Sequence, residues 1–289
     1  MKEYKDAMNI HPDIVAHIGR GTIIQHGKHN DRIYLMKFAL DDTDVIIDLL
    51  MELAEKHKYS KVFCKVPKKI APLFLANGYI LEGYIPKFYR GNEDAFFVSK
   101  YLKSSRAFVS SKEPLWAFHR LLTNYPKETD VSALKGKDYS TRKLEETDVT
   151  QIANLYSEIF ESYPFPIYDP SYIAETMREH VQYFGVFKEG ELAALASSEI
   201  DFEAKNAEMT DFATHKAHAG NHLSSLLLNM MEQEMKKQHI KTLYTIARLN
   251  SIPMNKTFLR AGYIYSGTLI NNTNISGEIE SMNLYSKQI

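Results

Sequence analysis

Residues 258–267 read "FLRAGYIYSG", and residues 74–83 read "FLANGYILEG". Phe, Leu, Gly, Tyr, Ile and the final Gly recur in register, six of ten positions. The likeness extends outward from this stretch. Residues 41–58, "DDTDVIIDLLMELAEKHK", place Ile46, Leu49, Leu50, Leu53 and His57 on one helical face, with Asp41 or Asp42 as the expected cap. Residues 221–239, "NHLSSLLLNMMEQEMKKQH", do the same with Leu223, Leu226, Leu227, Met230, Met231 and Met235, and Lys236 and Lys237 suit the negative helix end. Each helix runs into a strand, "SKVFCKV" in one case and "IKTLYTIA" in the other. Before the helices stand "LMKFAL" (35–40) and "MTDFAT" (209–214), and after each repeat comes a turn and a strand-like run. Both copies therefore read strand, helix, strand, short helix, hairpin, a unit of α/β or α+β architecture.

A chain of 289 residues has room for two units that each bury a core. Apolar content of 44% and charged content of 25% fit a soluble globular protein, and no run of about 18 apolar residues is present to span a membrane. The N-terminal "MKEYKDAMNIHPDIV" is polar and unlike a secretory signal, so a cytoplasmic location is expected. Cys64 is the single cysteine, which precludes an internal disulfide, and "KVFCKV" reads as a buried strand. A net charge of -1 with dispersed basic residues argues against a nucleic-acid partner and favours small-molecule chemistry. A homodimer is left open.

We expect an N-terminal unit over 1–110, a connector over 111–138 with a helix around Leu115 to Leu122, and a second domain over 139–289. The second domain carries more than the repeated half. "TRKLEETDVTQIANLYSEIF" reads as a strand, a cap at Thr147 or Asp148 and an amphipathic helix. "YDPSYIAETMREH" offers Asp169 as cap and Pro170 at the first helical position. The strands "YFGVF", "ELAALASSEI" and "AEMTDFAT" follow, joined by the turns "KEGE" and "EAKN".

This order, carried by "TRKLEETDVTQIANLY", "AEMTDFATHKAHAGNHLSSLLL" and "NSIPMNKTFLRAGYIYSGTL", resembles the GNAT acyltransferase superfamily over most of the last 150 residues. More narrowly, "YPFPIYDPSYI", "AEMTDFAT", "GYIPKFYRGNEDAFFVSKYL" and the half-sized N-terminal unit resemble β-lysine N-acetyltransferases. The resemblance implies a GNAT fold with a mixed, mostly antiparallel sheet, preceded by a smaller half-GNAT-like α/β domain that is non-catalytic. It implies acetyl-CoA as acyl donor and the side-chain amine of β-lysine as acceptor. A protein, peptide or polyamine acceptor, or a non-catalytic coenzyme-binding module, is the alternative.

Coenzyme A carries a pyrophosphate, and the free N–H groups that open a helix bind anions. Ala219, Gly220, Asn221, His222, Leu223 and Ser224 open the Leu-rich helix and are the expected cofactor loop. His218, Asn221 and Leu223 depart from the superfamily's Arg or Gln and spaced glycines. A lysine-type amine has a pKa of about 10.4, so roughly one molecule in two or three thousand is neutral at pH 7 and a base is needed. Glu208 is the favoured base, with Asp211 and Glu199 as rivals. Glu208 and Asp211 lie three apart, hence on opposite faces of a regular strand unless it bulges.

By resemblance, the backbone of Phe212, Ala213 and Thr214 pairs with the pantetheine arm, and Asn250 and Asn255 lie near the coenzyme. Phe258 stands where many members use a Tyr to protonate the departing thiolate, which turns attention to Tyr244 and Tyr263. Tyr163, Phe165, Tyr168, Asp169 and Glu199 are the expected acceptor contacts, and "FYRGNED" is placed to help close their pocket. His215, His218 and His222 lack a second cluster to complete a metal site, and no metal is expected.

Overall fold

The computed structural model describes residues 13–124, 139–275 and 277–289. The first half of the chain comprises β1 (Ile14–Ile18), β2 (Thr22–Gly27), β3 (Arg32–Lys37), α1 (Ile46–His57), β4 (Lys61–Pro67), α2 (Ala71–Ala76), β5 (Ile80–Tyr89) and β6 (Glu93–Tyr101). Two helices follow, α3 (Ser104–Ala107) and α4 (Glu113–Asn124). The second half contains β7 (Ser140–Lys143), α5 (Val149–Ile159), α6 (Pro170–Glu179), β8 (Val181–Lys188), β9 (Glu191–Asp201) and β10 (Asn206–Thr214). It ends with α7 (Leu223–Lys237), β11 (Thr242–Arg248), α8 (Ile252–Arg260), β12 (Ile264–Ile275) and β13 (Glu278–Gln288).

All the described strands join one sheet, ordered β1-β2-β3-β4-β6-β5-β12-β13-β11-β10-β9-β8-β7. Among the described strands only β3–β4 and β10–β11 pair in parallel, so the sheet is mixed and mostly antiparallel. Read from its centre, each half repeats the other, with β3, β4, β5 and β6 matching β10, β11, β12 and β13. The opening repeat sits at the centre of this symmetry. Its two final glycines, Gly83 and Gly267, face each other where β5 pairs with β12. Both strands shift register beside that glycine, β5 between Leu81 and Gly83 and β12 between Tyr265 and Gly267. Side chains stitch the same seam: Lys61 Nζ donates to the Ile270 carbonyl at 2.8 Å, Glu82 Oε1 accepts from the Ile270 amide at 2.7 Å, and Arg106 Nε donates to the Asn271 carbonyl at 2.6 Å. An apolar cluster with Phe63, Ile85 and Phe97 from one half and Tyr244, Leu269 and Leu284 from the other fills the space beneath.

Local signals largely act as expected. Asp169 accepts from the Ser171 amide at 2.8 Å and Pro170 opens α6. Helix α4 covers the expected connector helix, and its Phe118 packs edge-on against Tyr265 at 5.1 Å; the rest of the connector, 125–138, lies outside the described residues. The expected cap of α1 is a correction. Asp42 is buried and accepts from the Thr22 amide at 3.1 Å and the Thr22 hydroxyl at 2.6 Å, so it ties β2 to the following turn while α1 begins after Val45 without a side-chain cap.

Candidate active site

The parallel pair β10–β11 stays in register only over Asn206–Glu208 and Thr242–Tyr244. Beyond it β10 continues along β9 and β11 continues along β13, so the two strands fork. A cavity of about 320 Å³ lies in this fork. Between Thr210 and Ala213 strand β10 carries a bulge, with Asp211 at φ 56°. The extra residue breaks the alternation of side chains. Glu208, Thr210, Asp211 and Phe212 consequently all line the cavity, joined by Glu199 from β9 and Tyr244 from β11.

The three carboxyls differ in environment. Asp211 is buried and fully engaged: Ser197 Oγ donates to Oδ2 at 2.5 Å, and the Tyr163 and Thr210 hydroxyls donate to Oδ1. Burial raises its pKa against the pull of those hydroxyls. Glu199 is pushed well above the usual carboxyl range by burial and by the nearby Glu208 and Asp211, which favours its protonated form. Burial lifts Glu208 to about 7, opposed by the Lys65 ammonium and by a hydrogen bond from Tyr244. A carboxyl lifted to about 7 changes charge in the range that suits a general base working near neutral pH.

Lys65 comes from β4, in the first half of the chain. Its Nζ donates to Tyr244 Oη at 3.3 Å and lies over the Tyr244 and Phe88 rings at 5.4 and 5.5 Å. Burial lowers its pKa while Glu208, Asp201 and Glu199 raise it. Arg32, Tyr34, Met36 and Phe63 line the same cavity from β3 and β4, so both halves build it. Matching 35–40 to 209–214 puts Tyr34 at the position of Glu208, so the first copy carries a phenol where the second carries the base.

Residues 149–263 match the Acetyltransferase (GNAT) family. Over 269 residues, 92% of this chain and 96% of the relative, the sequence is 42% identical to the Beta-lysine N(6)-acetyltransferase of Methanococcus maripaludis. The chain belongs to the GNAT acetyltransferase family. As a GNAT N-acetyltransferase it is also 30% identical, over 84% of its length and 97% of the relative, to the Beta-lysine N(6)-acetyltransferase of Methanosarcina mazei. It is 28% identical, over 94% of its length and 97% of the relative, to N-acetyltransferase YodP of Bacillus subtilis.

Of the residues singled out in the sequence of this GNAT enzyme, Glu208, Asp211, Glu199, Tyr163, Phe165, Phe212 and Phe258 meet in the cavity. Phe258 is buried, edge-on to Phe212 at 5.6 Å and stacked on Tyr285 at 5.9 Å. Others are absent from the lining. Tyr168 donates to the Phe160 carbonyl at 3.0 Å and Asp169 caps α6, so both hold the 160–170 segment instead of facing an acceptor. Asn255 is spent internally: its amide donates to the Arg248 and Ser251 carbonyls, and its oxygen accepts from Asn283 and Tyr285. Asn250 is exposed and Tyr263 is buried, and neither borders the cavity. The "FYRGNED" turn docks elsewhere, with Arg90 Nε donating to the Glu203 carbonyl at 3.0 Å at the β9–β10 turn.

Ala219 to His222 form the approach to α7 and Leu223 and Ser224 its first two residues, none of them in the cavity lining, while Ala213 is buried and Thr214 half-buried on β10. Gly220 has φ 84° with open space around the position of a Cβ, and His222 has φ 57°. Among the described residues the amides of Gly220, Asn221, His222, Leu223 and Ser224 make no hydrogen bond. His218 is held by Tyr139 at 3.0 Å, and no group of three or more His, Cys, Asp or Glu is arranged to hold a metal among the described residues. Nor is any described helix long and apolar enough to cross a membrane. Sequence reading missed Arg32, Tyr34 and Lys65. The signal was present as charged and aromatic residues at every second position of two otherwise apolar strands.

Proposed function

We propose that this chain transfers the acetyl group of acetyl-CoA to the N6 amine of β-lysine. The carrying observation is Glu208, poised near pH 7 at the closed end of the β10–β11 fork in a cavity that both halves wall in. GNAT acetyltransferases use acetyl-CoA as donor, and the relatives at 42% and 30% identity are named for β-lysine. Walls from β3 and β4 on one side and from 159–165 on another favour a small amine over a peptide.

In this reading the free amides of Gly220 to Ser224 receive the donor's pyrophosphate at the positive end of α7. The unpaired edge of β10 at Phe212 to Thr214 receives the extended amide arm. Glu208 takes a proton from the N6 ammonium and releases it to solvent; the neutral nitrogen then bonds to the acetyl carbon as the carbon–sulfur bond breaks, and the second nitrogen proton passes to Glu208. A β10 amide facing the fork stabilises the developing oxyanion. Tyr244 supplies the proton to the departing sulfur and recovers one from Glu208, because Phe258 has none to give and Tyr244 is the phenol hydrogen-bonded to the base. The first half takes no chemical step and completes the acceptor wall. Release of free thiol on mixing protein, acetyl-CoA and β-lysine supports this function, and absence of thiol contradicts it.

Two variants test the wiring of Glu208. An ionised base requires kcat/KM to rise with pH through about 7. The Lys65 ammonium holds Glu208 down, so Lys65→Met shifts the rising limb of kcat/KM toward higher pH by about a unit. Tyr244→Phe shifts it the same way and lowers kcat by about 10- to 100-fold, the larger effect being at the thiolate step. Unmoved pH profiles in both variants would contradict the assignment of Glu208.

A further inference from the structure

The cavity lining also holds a guanidinium with an unspent donor. Arg32 reaches it from β3 and is only 4% exposed. Its Nη1 donates to the Asn272 carbonyl and to Thr273 Oγ1 at 3.1 Å, while the buried Nε meets no partner among the described residues. The rings of Tyr34 and Phe63, 5.4 and 5.7 Å away, hold the guanidinium in place. Beside it Asn272, 1% exposed, has a side-chain oxygen with no hydrogen bond. Buried donors and acceptors left unmet are costly, and two such groups side by side point to a ligand that meets both.

The charge pattern makes this guanidinium distinct. The carboxylates that act on Arg32, Asp13 and Glu82, stand outside the cavity lining. Arg248, the other guanidinium of the cavity, is taken by Glu280 with Nε at 3.1 Å from Oε2. Lys65 faces Glu208, Glu199 and Tyr244. Among the described residues that line the cavity, Arg32 is therefore the cation with a donor left to take an anion.

We propose that Arg32 and Asn272 receive the amino-acid head of the acceptor, Arg32 its carboxylate and Asn272 the neighbouring 3-ammonium. This rests on the β-lysine reading of the site. The first half of the chain then selects amines that carry a carboxylate, and rejects otherwise similar diamines by leaving the guanidinium unpaired.

The test uses the full-length enzyme and matched pairs of acceptors, β-lysine with pentane-1,4-diamine and α-lysine with pentane-1,5-diamine, where each diamine lacks only the carboxylate. Wild type is expected to prefer the carboxylated member. In Arg32→Gln the kcat/KM ratio of β-lysine to pentane-1,4-diamine falls by about a hundredfold, mainly through KM for β-lysine, and in Arg32→Lys by about tenfold. A general folding defect lowers both amines together, so an unchanged ratio in the variants overturns the proposal. So does a wild type that acetylates each diamine as well as its carboxylated partner, which needs no variant to fold. A wild type inert toward β-lysine that still prefers α-lysine to pentane-1,5-diamine, with the preference lost in Arg32→Gln, supports the anchor while removing the β-lysine reading.

Discussion

Glu208→Gln is expected to lower kcat by a factor of about 10² to 10⁴ while leaving KM for acetyl-CoA within about twofold. The side chain keeps its size and loses only the ability to take a proton, so the donor site proposed on β10 and α7 is untouched. The limb of the pH–rate profile near pH 7 disappears with it. The same substitution acts on stability in a defined direction. Burial raises the Glu208 carboxyl from 4.5 to about 7, so the folded protein keeps a proton that the unfolded chain releases between those values. Stability from that proton is present below pH 4.5 and is lost as pH rises through 7. Glu208→Gln is therefore expected to be more stable than wild type at pH 8, by about 1–3 kcal/mol, and equal to it near pH 4. Activity within tenfold of wild type would pass the role of base to Glu199 or Asp211, the other two carboxyls that line the cavity.

The second large effect lies at the seam. Gly267 has φ 145°, and a Cβ there would stand 2.1 Å from the Glu82 carbonyl oxygen and 2.6 Å from Gly83 Cα. Backbone on the facing strand cannot step aside without parting β5 from β12. Gly267→Val is expected to cost about 4 kcal/mol or more, measured by chemical denaturation, and to abolish acetylation because the two walls of the cavity separate. Gly83→Ala is milder: its Cβ meets Leu284 Cδ2 at 2.7 Å, the end of a side chain that can turn. A Gly267→Val protein as stable as wild type would mean that the seam does not join the halves.

That glycine shows how far the sequence can be read. The repeat, the helical faces and the alternating strands were legible because each depends on neighbours in the chain, and the Asp169–Pro170 start of α6 was legible for the same reason. The candidate acids Glu208, Asp211 and Glu199 were legible in the sequence as well, and all three line the cavity. Three things were not legible. The bulge that turns Asp211 into the cavity depends on how β10 lies against β9, which no local pattern states. Asn255, Tyr168 and Asp169 have the chemistry of binding residues, but nearby backbone groups consume it. Arg32 and Lys65 belong to the site only because β5 pairs with β12 and carries the first half across the fork, a contact between residues 184 apart in sequence.

The central claim is a small-molecule N-acetyltransferase for β-lysine, and competition in a single vessel tests it most directly. Enzyme and limiting acetyl-CoA are mixed with equimolar α-lysine, β-lysine, spermidine and a lysine-containing peptide, and the products are read by mass spectrometry with fragmentation to locate the acetyl group. The expected result is one dominant product, β-lysine acetylated on N6. Acetyl groups found mainly on the peptide or on spermidine, or on the 3-amine of β-lysine, would contradict it.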